Sequence, residues 1–179
     1  MPYGQIEKEN GVAVIWLDQP GDKVNTISID LIGTFTTILD SLEKDETVKG
    51  IVLISRKPDN FIAGADVDKF KDMASPEEAE ALSRQGHALL NRMANFPKPI
   101  VAALHGATLG GGLEVALACH YRVASDDPKT ILALPEVKLG LLPGGGGTQR
   151  LPHLIGLQAA LDMMLTGKNI YPRQAKKMG

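Results

Sequence analysis

Two spacings of apolar residues divide this chain. Val12–Leu17, Gly50–Ser55 and Ile100–Leu104 are short continuous apolar runs, rich in Val, Ile, Leu and Ala and closed by Gly, Pro, Asp or Ser. They predict buried strands. Tyr121–Ala124 predicts another short strand, and residues 130–134 an extended segment that Pro135 ends. Residues 61–66 (FIAGAD) predict a strand edge or turn ending in small residues. Between these runs the period lengthens. Ser28 can cap a helix to about Leu42, with Ile29, Ile32, Phe35, Ile38, Leu39 and Leu42 at helical spacing. Ser75-Pro76-Glu77-Glu78 is a helix start, with a cap, a proline suited to the first position and acids at the positive end of the dipole. That helix carries Ala79, Leu82, Gly86, Leu89, Leu90 and Met93 on one face and ends before Pro97. A short buried helix is expected from Leu113 to about Cys119. A helical stretch follows from Gln149 or Leu151 to Leu165, with a break near Gly156, and another within residues 170–178. Apolar strands separated by helices imply an α/β chain with a largely parallel sheet covered on both faces.

Composition narrows the class. The 179 residues suit one domain, or one and part of another. Aromatics make up only 4% of the chain, so Ala, Val, Ile, Leu and Met must build the core. A net charge of −2 lacks the basic excess of a nucleic-acid footprint, so no nucleic-acid partner is expected. Cys119 stands alone and reads as a small core residue; His87 reads as exposed, and His120 and His153 show no ligand spacing, so no metal is expected. The N-terminus has no apolar signal core or Arg-rich transit pattern, and no apolar run reaches membrane-spanning length. A cytoplasmic location is the expectation. The pattern around Ala175-Lys-Lys-Met-Gly179 looks unfinished, which predicts a longer natural protein.

The candidate chemistry begins at Gly110-Gly111-Gly112, which lies just past the third strand and opens a helix. Bare backbone at a helix N-terminus presents unpaired N–H donors and the positive end of the dipole, a setting for an anion. A phosphate is disfavoured: the glycines are followed by Leu113-Glu114 rather than Lys-Ser/Thr, and neither this run nor Gly144–Gly147 supplies Gly-x-Gly-x-x-Gly. An oxyanion that forms during reaction uses the same donors and also gives Glu114 a task, moving protons at a carbon beside a polarised carbonyl. Glu136, in the apolar setting LPEVKLGLL, is a second acid that can face Glu114 across one site, as addition or removal of water requires. The small residues 61–66 can supply a second N–H donor. Taken singly, each piece has a plainer reading: a turn device, a dipole-compatible surface acid, a flexible loop.

Together the pieces resemble a family. Ile62-Ala-Gly-Ala-Asp66, Lys98-Pro-Ile-Val-Ala-Ala-Leu-His-Gly106, Leu109-Gly-Gly-Gly-Leu-Glu114, Leu134-Pro-Glu-Val-Lys-Leu-Gly140 and Pro143-Gly-Gly-Gly-Gly-Thr-Gln-Arg-Leu-Pro152 resemble, in order and spacing, the enoyl-CoA hydratase (crotonase) family. Lys23-Val-Asn25, residues 62–66 and Ala160-Leu-Asp-Met-Met-Leu-Thr-Gly167 are similar to the N-terminal hydratase domain of the multifunctional α-subunit of fatty acid β-oxidation. The resemblance implies a crotonase spiral of ββα units over residues 1–179, as part of a longer multifunctional chain. It implies hydration of trans-2-enoyl thioesters, with Glu114 and Glu136 as the catalytic pair and the N–H groups of Ala65 and Gly111 as the oxyanion hole. Lys23, Ala63, Gly64, Asp66, Gly110 and Gly144 would bind substrate. No cofactor is implied beyond the coenzyme A of the substrate. Self-association or a thiolase β-subunit would be the protein partner. Δ3-Δ2 isomerisation is the alternative reaction, and acyl-CoA binding without turnover the non-enzymatic one.

Overall fold

The computed structural model describes residues 4–66 and 75–179, apart from the side chains of residues 29 and 30. The strands β2 (Val12–Leu17), β3 (Gly50–Ser55), β5 (Ile100–Leu104) and β7 (Tyr121–Ala124) lie where the apolar runs place them and pair in parallel. Their register explains the core. Ala13 sits opposite Ile51 and Ile51 opposite Ile100, while Ile15 sits opposite Leu53 and Leu53 opposite Ala102. All six are buried on one face of the sheet. The interleaved Val14, Val52 and Val101 are only half-buried. A continuous apolar run thus serves one closed face and one partly open face here, rather than two closed ones.

The charged N-terminal segment is also a strand. β1 (Gly4–Glu9) pairs antiparallel with β2 and makes the sheet edge. Its mixture of Gln, Glu and Lys gives little apolar signal, and such an exposed edge tolerates it.

A second sheet departs from the single one expected. It holds β4 (Asn60–Ile62), β6 (Ala107–Leu109) and β8 (Ile131–Ala133), three residues each and all parallel. Three strands of the first sheet each pass the chain to a short strand of the second: β3 to β4, β5 to β6, β7 to β8. Helical structure follows each short strand: α2 (Pro76–Ala94), α3 (Gly111–Ala118), and the 3-10 turn Glu136–Leu139 leading to α4 (Gly147–Ile155). The chain is therefore a spiral of ββα turns. In the first turn, β1 and β2 both join the larger sheet; in the next three, one strand joins each sheet.

The helices close the core. In α1 (Ile29–Lys44), Ser28 accepts a hydrogen bond from the Leu31 N–H, and Leu31, Phe35, Ile38, Leu39 and Leu42 are buried. The side chain of Ile29, which the spacing puts on this face, lies outside the described residues. Arg92 of α2 bridges Asp40 and Glu43 of α1, each at 2.6 Å. Gly156 separates α4 from α5 (Leu157–Thr166), and α6 (Pro172–Met178) follows.

Candidate active site

Three neighbouring parallel strands end at one edge of the small sheet, with β6 in the centre. The segment Ala63-Gly-Ala-Asp66 leaves β4, the glycine triplet leaves β6, and Leu134-Pro135-Glu136 leaves β8. The carboxyl ends of parallel strands commonly hold ligands, because loops there converge from successive turns. Here the arrangement gathers motifs that are far apart in sequence.

The backbone donors come first. The segment after β4 is fixed by Ile27, whose N–H donates to the Gly64 carbonyl at 2.9 Å and whose carbonyl accepts from the Asp66 N–H at 3.3 Å. The Ala65 N–H lies between these bonds and makes none among the described residues. Buried Asn25 anchors the same segment. Its carbonyl accepts from Ala63 at 2.8 Å, and its side-chain amide donates to Ser55 Oγ and to the Phe61 carbonyl. On the β6 side, Gly110 takes φ 53° and ψ −127°, which only glycine adopts without strain, and turns the chain into α3. The helix thus begins within the glycines, at Gly111 rather than Leu113. As the first helical residue, Gly111 has a free N–H. The Ala65 nitrogen lies 3.8 Å from the point a Gly111 Cβ would occupy, so the two free donors share one small space. Gly112 is what permits this proximity: a Cβ there would sit 2.3 Å from the Ile62 carbonyl oxygen.

The acids flank the donors. Glu114, in the first turn of α3, is 3% exposed. Its Oε1 accepts from the N–H groups of Gly145 at 2.7 Å and Gly147 at 2.8 Å. Burial raises its pKa; the two N–H bonds and the charges of His87 and Arg150 oppose that rise. Glu136 opens the 3-10 turn, and its Oε1 lies 3.0 Å from the Cβ position of Gly110. Its Oε2 is buried and accepts no hydrogen bond among the described residues. Burial again raises the pKa, and the charge of Glu114 adds to the rise. The two carboxyl groups are thus electrostatic neighbours in different surroundings: one is held by two donors, the other has an unsatisfied oxygen.

The remaining predicted residues lie around this centre. Ala63 and Asp66 are half-buried and Gly64 is buried, whereas Lys23 and Gly144 are exposed. A cavity of about 420 Å³ opens beside the C-terminal end of α3 among Leu117, Cys119, His120 and His153. None of the predicted site residues lines it. His120 Nδ1 accepts from the Ile100 N–H at 3.1 Å, and burial pushes the Cys119 thiol up to about 12.

A family model described as enoyl-CoA hydratase/isomerase matches residues 7–179. The chain belongs to the enoyl-CoA hydratase/isomerase family. A relative from Shewanella sp. (strain ANA-3), the fatty acid oxidation complex subunit alpha, is 54% identical over 177 residues, covering 99% of this chain and 25% of the relative. The chain thus spans about a quarter of the length of the curated relatives it matches. Among solved structures, an enoyl-CoA hydratase from Geobacillus kaustophilus HTA426 is 37% identical with a TM-score of 0.94, covering 100% of this chain and 66% of that one. The enoyl-CoA hydratase from Bacillus anthracis is 30% identical with a TM-score of 0.91, over 99% of this chain and 67% of that one. These neighbours carry the crotonase fold, and the ββα spiral described above is that fold.

Within this family frame, several residues escaped the sequence reading. Gly145 and Gly147, not only Gly144, belong to the site, because their N–H groups hold Glu114. His87 is half-buried and acts electrostatically on Glu114, contrary to the exposed position expected. Arg150 donates to the Gly145 carbonyl at 2.9 Å and to Asn91 Oδ1 of α2 at 2.7 Å, so it clamps the glycine loop. Only the run of glycines beside an arginine hinted at this in the sequence. Arg150→Met is expected to lower kcat for hydration by roughly tenfold or more, through misplacement of Glu114. It also removes a cation that lowers the Glu114 pKa, so the acid limb of the pH–rate profile moves to higher pH. A lower kcat with an unmoved acid limb would show that Arg150 acts only as packing.

Proposed function

We propose that this site adds water across the double bond of trans-2-enoyl thioesters of coenzyme A, giving 3-hydroxyacyl thioesters. The observation that carries the proposal is the convergence of two free backbone donors, Ala65 and Gly111, with the buried carboxyl group of Glu114 and that of half-buried Glu136, whose Oε2 is buried. The thioester oxygen accepts from both N–H groups, so negative charge that develops on it as the enolate forms meets donors already in place. Glu114, held by two N–H donors, is suited to orienting and deprotonating water for attack at C3. Glu136, with an elevated pKa and an unsatisfied oxygen, is suited to delivering a proton to C2. C3 receives the hydroxyl of the water, whose proton stays on Glu114, and C2 receives the proton of Glu136; proton exchange with solvent water then returns Glu114 to the carboxylate and Glu136 to the acid before the next turnover.

Lys23, Ala63, Gly64, Asp66 and Gly110 are assigned to binding the substrate, and Gly144 to the pocket near the water. Coenzyme A enters as part of the substrate, no resident cofactor is invoked, and the reaction is placed in the cytoplasm. The relatives' name, subunit of a fatty acid oxidation complex, supports assembly with another subunit, and the proposal takes that partner to be a thiolase β-subunit or a second copy. The family description also includes isomerases, and a single proton-shuttling carboxyl group beside the oxyanion donors suffices to move a double bond from C3 to C2. The test follows loss of 2-enoyl absorbance with crotonyl-CoA and formation of 2-enoyl from a 3-enoyl substrate. Faster turnover of the 2-enoyl thioester is expected. Turnover of the 3-enoyl substrate alone would replace hydration with isomerisation, and binding with no turnover would leave an acyl-CoA-binding protein.

A further inference from the structure

The inner stripe of α2 has a gap. Leu89, Leu90 and Met93 supply bulk on the face that shares a cavity wall with α1, but Gly86, one turn before Leu90, supplies none. Glycine is among the poorest residues for a helix interior, and a close backbone approach is its usual justification. No such approach exists here: a Cβ at Gly86 would meet nothing within 4 Å among the described residues. What Gly86 borders instead is a cavity of about 60 Å³, walled by apolar side chains alone, including Leu31, Phe35, Met93 and Val115.

That cavity adjoins the reacting centre. Its wall residue Ile27 places Cδ1 2.8 Å from the Cβ position of Gly111, and Leu90 places Cδ1 3.1 Å from that of Gly145. Val115, also in the wall, follows Glu114 directly. An apolar space next to an oxyanion site suits a hydrocarbon chain attached to the polarised carbonyl. We propose that Gly86 is a specificity-determining residue, keeping open the space that takes the alkyl tail of the thioester. This rests on the hydration reading above. A side chain at 86 would fill that space from the α2 side and shorten the tail that fits.

The experiment compares kcat/KM for a ten-carbon and a four-carbon trans-2-enoyl-CoA in the full natural chain. Gly86→Leu is expected to lower the ten-to-four ratio by about tenfold or more, since each misplaced methylene in an apolar pocket counts at least that much. Gly86→Ala, which favours the helix and so keeps the protein folded, is expected to lower the ratio in the same direction by less. A ratio that stays at the parent value in Gly86→Ala and Gly86→Leu overturns the assignment. Turnover of the four-carbon thioester by the parent separates the two readings. If it is absent, the hydration proposal falls; if it is present with an unchanged ratio, only the role of Gly86 does.

Discussion

Glu114→Gln and Glu136→Gln are each expected to lower kcat/KM for hydration of crotonyl-CoA by about 10³-fold, within the range of general acid–base catalysis. At 114 the amide oxygen can still accept from Gly145 and Gly147, so the loop keeps its anchor while the proton chemistry is lost. At 136 the substituted amide keeps the volume and removes the titrating group. The double variant should lose far less than the product of the single losses, because the two acids act in one event. Parent-like rates in either single variant would sink the pairing.

The same substitution has a pH signature. The folded-state pKa of Glu136 is raised, by burial first and by the charge of Glu114 second. A raised pKa contributes stability that is fully present below the unfolded value, about 4.3, and lost as pH rises through the folded value. At pH 8 the folded parent meets the cost of this raised pKa, as a desolvated charge or as the uptake of a proton, and Glu136→Gln meets neither. The variant should therefore melt higher at pH 8, and the gap should close as the pH falls toward the unfolded value. A gap that does not vary with pH would mean that burial of the charge is not its source.

Gly112→Ala should damage stability and activity together. The added Cβ would lie 2.3 Å from the Ile62 carbonyl oxygen and 2.8 Å from the Ile62 Cβ, so α3 and β4 must separate. Overpacking against backbone costs roughly 3 kcal/mol, which in a chain of this size is a fall in Tm of roughly 6–12 °C. The movement also parts Gly111 from Ala65, so hydration should be lost well below the new Tm. Gly33→Ala is the contrasting control: it lies within α1 with nothing within 4 Å of its Cβ, and the substitution should raise stability by up to about 1 kcal/mol. Equal Tm values for the two variants would remove the packing argument.

The long strands were legible because each is an apolar run with a clear end marker, and Ser28 and Ser75 signalled the helix starts they cap. The short strands were less so. Ala107-Thr108-Leu109 is too brief to show a period, and its place is set by pairing with β4 and β8. The start of α3 within the glycines runs against helix propensity, and the packing of Gly112 on Ile62 outweighs it. Glu114 and Glu136 stood out as acids in apolar surroundings. The support of Glu114 did not, since its donors lie 31 and 33 residues further along and act through backbone that any residue possesses. Arg150 and Asn91 were hidden for the same reason: their partnership exists only once α2 and α4 are side by side.

The stacking of three short strands also divides the site among three turns of the spiral. The turn through β4 brings Ala65, and the turn through β6 brings Gly111 and Glu114. A chain that has stacked only these two turns has both oxyanion donors, but Glu136 and the loop that holds Glu114 belong to the third. Both joins are distant in sequence, 47 residues between Asn60 and Ala107 and 31 between Glu114 and Gly145, and loop closure must precede each. Recovery of hydration during refolding therefore reports the completion of all three turns, whereas the two thioester-oxygen donors need only the first join.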